Sequence, residues 1–115
     1  MQILLNTDRN IEGHEALATR VSEEVESALK RFSDRITRVE VHLSDENSDK
    51  KGGNDDMRCV MEARLEGRQP VAVTHHAATV DQAIDGAADK LASSIESTLG
   101  RLHDQNGHRK ASGTA

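Results

Sequence analysis

Two kinds of hydrophobic spacing follow each other along this chain in an order that few folds can accommodate. Between residues 17 and 32 an apolar side chain recurs every three or four positions, which is typical of one face of an α-helix. Residues 36–44 and 57–65 instead alternate apolar and polar side chains, as a β-strand with one buried face does. The helical spacing returns between residues 79 and 102. The chain therefore predicts helix, strand, strand and helix as its central elements.

Two shorter segments complete the predicted order. "QILLN", residues 2–6, indicates a first strand with Ile3 and Leu5 on one face, and "PVAVTHH" indicates a last strand, with Pro70 at its start where a missing donor costs little. The predicted order is β-α-β-β-β-α, an α+β fold in which two helices pack on one face of a four-stranded sheet. Because one side of each strand is apolar and the other polar, we expect an antiparallel sheet covered on one side only.

The ends of the two helices carry capping signals. Gly13 is a candidate N-cap for the first helix, which we expect to reach about residue 32. Thr79, with Gln82 three positions later, forms a capping-box pattern at the start of the second. Periodicity stops after residue 102, so we predict one domain over residues 1–104 and a disordered tail over residues 105–115.

Composition limits the classes of function. The 115 residues suit one domain with a core of aliphatic side chains, because Phe32 is the only aromatic residue. No apolar run approaches the roughly 20 residues that span a bilayer, and the start does not read as a signal peptide. Cys59 has no partner for an internal disulfide, which favours a reducing cytoplasm, and its place in a strand predicts a buried thiol.

Motifs for catalysis and metal binding are not found in the sequence. It has no glycine-rich phosphate loop, nucleophile elbow or HExxH motif, so we predict no enzyme and no cofactor. His75 and His76 are neighbours on a predicted strand and should point to opposite faces, and we expect no metal site. The polar segment "SDENSDKKGGNDD", residues 44–56, leaves three interpretations: a mobile loop, a partner-recognition loop or a calcium site that lacks the EF-hand order.

Two segments carry a resemblance to a known family. "FSDRITRVEVHLS" and, two strands later, "AIDGAADKL" together resemble the hibernation-promoting factors and ribosome-associated inhibitors, also described as sigma-54 modulation proteins. The resemblance covers about residues 1–102, and "F-x-D-R-I" matches with one extra residue, Ser33. It implies the β-α-β-β-β-α fold and a non-enzymatic function: occupying the small ribosomal subunit near the decoding centre and blocking messenger and transfer RNA in starved or stressed cells.

The resemblance also implies where rRNA would be contacted. Typical members carry lysines or arginines on the first helix at positions that are Ala18, Glu24 and Ser27 here. On the last helix the basic positions correspond to Lys90, Ser93, Ser97 and Arg101, and position 81, usually aromatic, is aspartate. Each missing phosphate contact lowers affinity for a polyanion. The candidate rRNA-binding residues are Lys30, Arg31, Arg35, Arg38, Lys90 and Arg101.

The charge of the chain leaves alternatives open. Twenty acids against 15 Lys and Arg give a net charge of −5, so binding of a polyanion requires a local basic patch. The cations between residues 30 and 38 either form that patch or offset the dipole at the end of the first helix. The open sheet face, with His42, His76, Arg64 and two further arginines, is expected to be solvated, with Glu40 and Glu62 offering cross-strand charge pairing.

Two other kinds of interaction compete with ribosome binding. The acidic helix 79–102 and loop 44–56 fit a protein–protein adaptor that binds a basic protein surface. A β-sheet edge can also pair with the same edge of a second copy, giving a homodimer.

Overall fold

The computed structural model describes residues 1–8, 14–45 and 57–107; of these, His14 and residues 101–107 are described by their backbone alone. The elements follow the predicted order, and the α+β fold is confirmed. Their bounds are β1 Gln2–Thr7, α1 His14–Leu29, a 3₁₀ helix η1 Lys30–Arg35, β2 Ile36–Asp45, β3 Met57–Leu65, β4 Val71–Ala77 and α2 Val80–Gly107.

The four strands lie side by side in sequence order, but the sheet is mixed. β2, β3 and β4 pair antiparallel, whereas β1 pairs parallel to β2, with Ile3 opposite Val39 and Leu5 opposite Val41. The expectation of an antiparallel sheet was therefore wrong at one of its three pairings. The physical reason is the intervening helix: α1 carries the chain back to the end where β1 started, so β2 begins again in the same direction.

Both helices pack on one face of the sheet, where they enclose an aliphatic core. α1 contributes Val21, Val25 and Leu29, which are fully buried. Among the described residues every buried side chain is apolar. η1 contributes Phe32. The remaining core residues alternate along the strands and recur on α2: Ile36, Val39, Val41, Leu43, Met57, Cys59, Met61, Ala63, Leu65, Ala77, Ala83, Ile84, Ala87, Ala88, Leu91 and Ile95. The predicted layers are therefore correct.

The start of α2 agrees with the prediction, whereas the C-terminal ends of both helices differ from it. The α-helix stops at Leu29 and the 3₁₀ helix η1 continues the apolar spacing, which explains why the sequence pattern ran on to the buried Phe32. At the other helix Thr79 Oγ1 accepts a hydrogen bond from the Gln82 backbone N–H at 3.1 Å, confirming the predicted cap. α2 extends to Gly107, so its backbone is helical over the first three residues of the predicted tail.

Several predictions concern residues that the structure does not describe. The candidate N-cap Gly13, most of the 44–56 connection and residues 108–115 lie outside the described residues. The domain limit at residue 104 stays a prediction. Within the described residues, no helix has the length and apolarity needed to cross a membrane.

α2 approaches β4 closely at one point. Gly86 faces the imidazole of His75, and a Cβ at position 86 would overlap that ring. His75 is half-buried under the helix while His76 is exposed on the opposite face, as their adjacent positions on a strand predicted. The glycine thus allows a histidine to lie between the strand and the helix backbone.

Candidate nucleic-acid interface

The predicted phosphate contacts do not form one patch. Lys30, Arg31 and Arg35 lie in η1, at the end of α1. Arg38 lies on β2 and, from the strand alternation, on the open sheet face. Lys90 is exposed on α2, and Arg101, also on α2, is described by its backbone alone. The structure therefore divides the candidates between η1, the open sheet face and the second helix.

Arg31 is engaged in contacts within the molecule. Its Nη2 lies 3.1 Å from Glu96 Oε1 on α2, and its guanidinium carbon lies 4.7 Å from the ring centroid of Phe32. Both charged side chains remain more than half exposed, so the ion pair contributes little stability. The pair nevertheless places the Glu96 carboxylate beside Arg31, and this negative charge weakens the attraction of Arg31 for a phosphate group.

Arg20, which sequence reasoning did not single out, forms ion pairs with three acids. Its guanidinium lies 2.9 Å from Asp85 and 3.4 Å from Asp81 on α2, and 3.2 Å from Glu24 on its own helix. The hydrogen bond with Asp85 is the main cause that raises the pKa of Arg20, partly opposed by burial. Its signal in the sequence is weak, because only the packing of α1 on α2 brings the two aspartates to it.

These ion pairs also give the relative direction of the helices. Arg20 pairs with Asp85 and Arg31 with Glu96, and each pair joins residues 65 positions apart. Because residue number rises by the same amount along both helices between these two pairs, α1 and α2 run in the same direction. Three acids of α2, counting Asp81, thus face cations of the α1–η1 layer, so the acid count of α2 overstates its free negative charge.

Lys90 contacts the sheet. Its Nζ donates to the backbone carbonyl of Thr74 on β4 at 3.0 Å. The Asp8 N–H donates to the Leu43 carbonyl, so the backbone groups of odd-numbered β2 residues point toward β1. Because these directions alternate along each strand, the strand registers leave the Thr74 carbonyl on the outer side of β4. Lys90 therefore caps a free carbonyl at the sheet edge. One of the two basic positions that α2 keeps from the family pattern has a contact within the fold.

A second group of arginines gathers where β2 begins and β3 ends. The Glu66 backbone N–H donates to the Arg35 carbonyl at 2.9 Å, and this bond joins η1 to the β3–β4 turn. Arg38 lies opposite Arg64 in the sheet register. Arg68 follows in the same turn, where Gly67 has the positive φ of 70° that a glycine adopts without strain. We call this surface the basic end and define it by Arg35, Arg38, Arg64 and Arg68.

Charge is distributed unevenly between this end and the helices. Residues 35–40 and 62–68, which carry the four arginines of the basic end, contain three acids. Residues 14–29 and 80–100, which include all the described helical side chains of α1 and α2, contain two cations and eight acids. A molecule with a net charge of −5 thus has a local cationic excess at one end of its sheet. That is the distribution required for a polyanion to bind there.

The open sheet face is arranged in rows of like charge. The register places Arg38 opposite Arg64 and Glu40 opposite Glu62, so the expected cross-strand pairing of opposite charges was wrong at these positions. Glu40 instead pairs along its own strand, 2.9 Å from Arg38 and 3.8 Å from the imidazole of His42. The Arg38–Arg64 pair therefore lies at the basic end, and the Glu40–Glu62 pair lies two residues further from that end on each strand.

One hydrogen-bond donor of the basic end is unsatisfied among the described residues. Arg38 Nε is buried and has no hydrogen-bond partner among the described residues, although its Nη2 pairs with Glu40. Sequence reasoning placed Arg64 on the open face but could not join it to η1, and it did not select Arg68. Only the hydrogen bond between the turn and η1 brings these residues together.

Other candidate sites have simple geometry. Burial raises the pKa of the Cys59 thiol to about 12, and the predicted buried thiol is confirmed. Among the described residues, no group of three or more His, Cys, Asp or Glu side chains is placed to hold a metal ion. On α2 a shallow open depression is lined by hydroxyl side chains: Ser93, Ser94, Ser97 and Thr98.

Comparison with known proteins identifies the family and the fold of the chain. The sequence matches the family described as sigma 54 modulation protein / S30EA ribosomal protein over residues 6–103. The chain belongs to this family. A search of curated proteins gave no match.

Two solved structures share the fold. The N-terminal domain of Protein Y from Thermus thermophilus is 26% identical, with a TM-score of 0.67 over 85% of this chain and 99% of that one. A ribosomal subunit interface protein from Coxiella burnetii is 16% identical, with a TM-score of 0.54 over 90% of this chain and 98% of that one. The second likeness is one of fold alone. The resemblance stated from the sequence is confirmed.

Proposed function

We propose that this chain is a non-enzymatic ribosome-associated factor that acts in the cytoplasm by occupying the small ribosomal subunit and silencing translation. Family membership supports association with ribosomes, and the Coxiella burnetii protein of the same fold is described as a ribosomal subunit interface protein. The observation that carries the proposal is the basic end, a local cationic excess on an acidic molecule. No chemical step is required, because a bound domain excludes other ligands by its volume.

The proposed interface is the basic end rather than the helices. Arg35, Arg64 and Arg68 present guanidinium groups that suit bidentate contacts to phosphate oxygens. Arg31 and Lys90, in contrast, already contact Glu96 and the Thr74 carbonyl. With few free cations, binding is expected to be weak and to fall steeply with salt, since each phosphate contact releases counterions. This chain therefore binds conditionally, when ionic conditions or subunit concentration favour it.

Co-sedimentation with purified small subunits at low and at physiological salt tests the proposal. We expect pelleting at low salt that decreases as salt rises. Arg68→Glu should weaken it and Lys90→Glu should not, although both substitutions change the net charge equally. If the chain stays in the supernatant at low salt, or if the two variants lose binding equally, the proposed interface is wrong.

A second candidate function follows from the charge of the helices. Four of the eight acids on α1 and α2 pair with Arg20 or Arg31. The other four, Glu15, Glu23, Glu26 and Asp89, are exposed and favour a basic protein surface as partner, so the chain would be a protein–protein adaptor or stress regulator on the same scaffold. Pull-down with the intact chain separates the two. Recovery of one defined basic protein without ribosomal RNA supports the adaptor, and co-purification that nuclease abolishes supports the ribosome-associated factor.

A further inference from the structure

The two edges of the sheet are protected to different degrees. On β4 the Lys90 ammonium group covers the Thr74 carbonyl, and Pro70 precedes the strand. Lysines and prolines are common devices against edge-to-edge pairing. β1, at the other edge, has neither: Gln2–Thr7 contains no charged residue and no proline. β1 is therefore the edge strand that lacks these protective devices.

The direction of the free backbone groups of β1 follows from one hydrogen bond. The Asp8 N–H donates to the Leu43 carbonyl at 3.1 Å, so the backbone groups of even-numbered residues point toward β2. Backbone groups alternate in direction along a strand. The N–H and C=O groups of Ile3 and Leu5 consequently point away from the sheet, where a further strand can pair with them.

Exposed apolar surface lies on the same strand. Among the described residues the exposed large hydrophobic side chains are Met1 and Leu4, with 38% and 37% of their surface accessible. Leu4 lies on the open face, while Ile3 and Leu5 are only half-buried on the core face. A strand added here would cover apolar side chains on both faces of the sheet, a favourable burial.

We propose that β1 is a docking edge for a second copy of this chain, giving a symmetric dimer with an eight-stranded sheet. The sequence of β1 is a chemical palindrome about Leu4. In an antiparallel pair centred there, Leu4 meets Leu4, Ile3 meets Leu5, and Gln2 meets Asn6. Such a pairing is isologous, as a twofold interface requires. It also matches the free backbone groups, because Ile3 and Leu5 become the hydrogen-bonded pairs.

The charge of the edge agrees with this occupant. Each copy carries a net charge of −5, which opposes dimerisation across most surfaces, but the paired strand is uncharged. A six-residue strand buries less than the about 800 Å² per partner of a standard interface. The dimer is therefore in exchange with the monomer and depends on concentration. Antiparallel pairing would place the two basic ends at opposite ends of the dimer, so the proposal is independent of ribosome binding.

Sedimentation of the full chain over its soluble concentration range tests the dimer. We expect a concentration-dependent dimer for the wild type. Leu4→Lys, which places two ammonium groups opposite each other, should raise the dissociation constant about tenfold or more. Ala72→Lys is the matched control, since Ala72 is exposed on the other edge strand, and it should dimerise like the wild type. Thermal unfolding of both variants checks that they fold.

Cross-linking gives a second, positional readout. Opposed residues at the twofold axis lie within disulfide distance, so Leu4→Cys should form an intermolecular disulfide under mild oxidation and Ala72→Cys should not. The native thiol does not interfere, because Cys59 is buried. A wild type that stays monomeric at all concentrations overturns the proposal. So does a dimer that survives Leu4→Lys, or equal cross-linking of the two cysteine variants.

Discussion

The helix layer and the basic end contain arginines and lysines that serve different purposes. In the helix layer Arg20, Arg31 and Lys90 each contact an acid or a carbonyl of another element. At the basic end Arg35, Arg64 and Arg68 come together through backbone hydrogen bonds and strand register. The first group joins the elements of the fold, and the second group is proposed to bind phosphate. Counting cations in the sequence does not distinguish the two.

The largest expected effect is on binding, at the basic end. Arg35→Glu combined with Arg68→Glu should lower affinity for small subunits on the order of fiftyfold at physiological salt, because two phosphate contacts become repulsive. The slope of log affinity against log salt should flatten by about two. Stability should change by less than about 0.5 kcal/mol, since both side chains are exposed. An unchanged salt slope would mean that Arg35 and Arg68 do not contact phosphate, and the proposed difference between the helix-layer cations and the basic end would be wrong.

Removing the Arg20 side chain should produce the opposite pattern. Arg20→Met keeps much of the aliphatic stem but leaves Asp81, Asp85 and Glu24 close together without their cation. We expect a loss of about 1 kcal/mol, modest because these groups are partly exposed to solvent. Urea unfolding measures the loss, and subunit affinity should stay within about twofold of wild type. A large drop in affinity with unchanged stability would place Arg20 in the interface instead.

The close approach of α2 to β4 predicts a coupling of similar size. In a His75→Ala background, Gly86→Ala should raise the free energy of unfolding by up to about 1 kcal/mol, because alanine has a higher helix propensity than glycine. In the wild type the new methyl group meets the imidazole, and the gain should vanish or become a loss. The four-variant thermodynamic cycle measures this coupling. Additive effects would mean that the His75 side chain can move away from the new methyl group at no cost in free energy.

The smallest expected effect concerns the cap on the β4 edge. Lys90→Met removes the hydrogen bond to the Thr74 carbonyl while keeping a long apolar side chain, and water can solvate that exposed carbonyl. Stability should fall by at most about 0.5 kcal/mol. Affinity for the small subunit should not change, in contrast with the double reversal at the basic end. Chemical denaturation and co-sedimentation of the same sample compare the two readouts.

Much of the fold could be predicted because hydrophobic spacing is a local property. The periods of residues 17–32 and 79–102 gave two helices, and strand alternation gave the buried faces of β2 and β3 correctly. The cap at Thr79 was also readable, since it involves residues three positions apart. The parallel pairing of β1 was not, because alternation is the same in parallel and antiparallel strands.

The candidate site was less predictable. Lys30, Arg31, Arg35 and Arg38 could be chosen from their closeness in sequence, and the family resemblance added Lys90 and Arg101. Neither argument reveals that Arg31 pairs with Glu96, or that Arg68 lies in the turn joined to η1. Such contacts join residues about 30 to 65 positions apart, and no local pattern reports them.

The sequence by itself determined the order of elements, the apolar faces and the family, because each depends on residues close together along the chain. Among the described residues, the tertiary structure decided which cations contact other elements of the fold and which sheet edge carries a lysine cap. Packing of α1 on α2 pairs Arg20 and Arg31 with acids, and the register of β2 with β3 gathers arginines at one end. Charge acts through space over a few ångströms, so its effect is set by neighbours that only folding brings together.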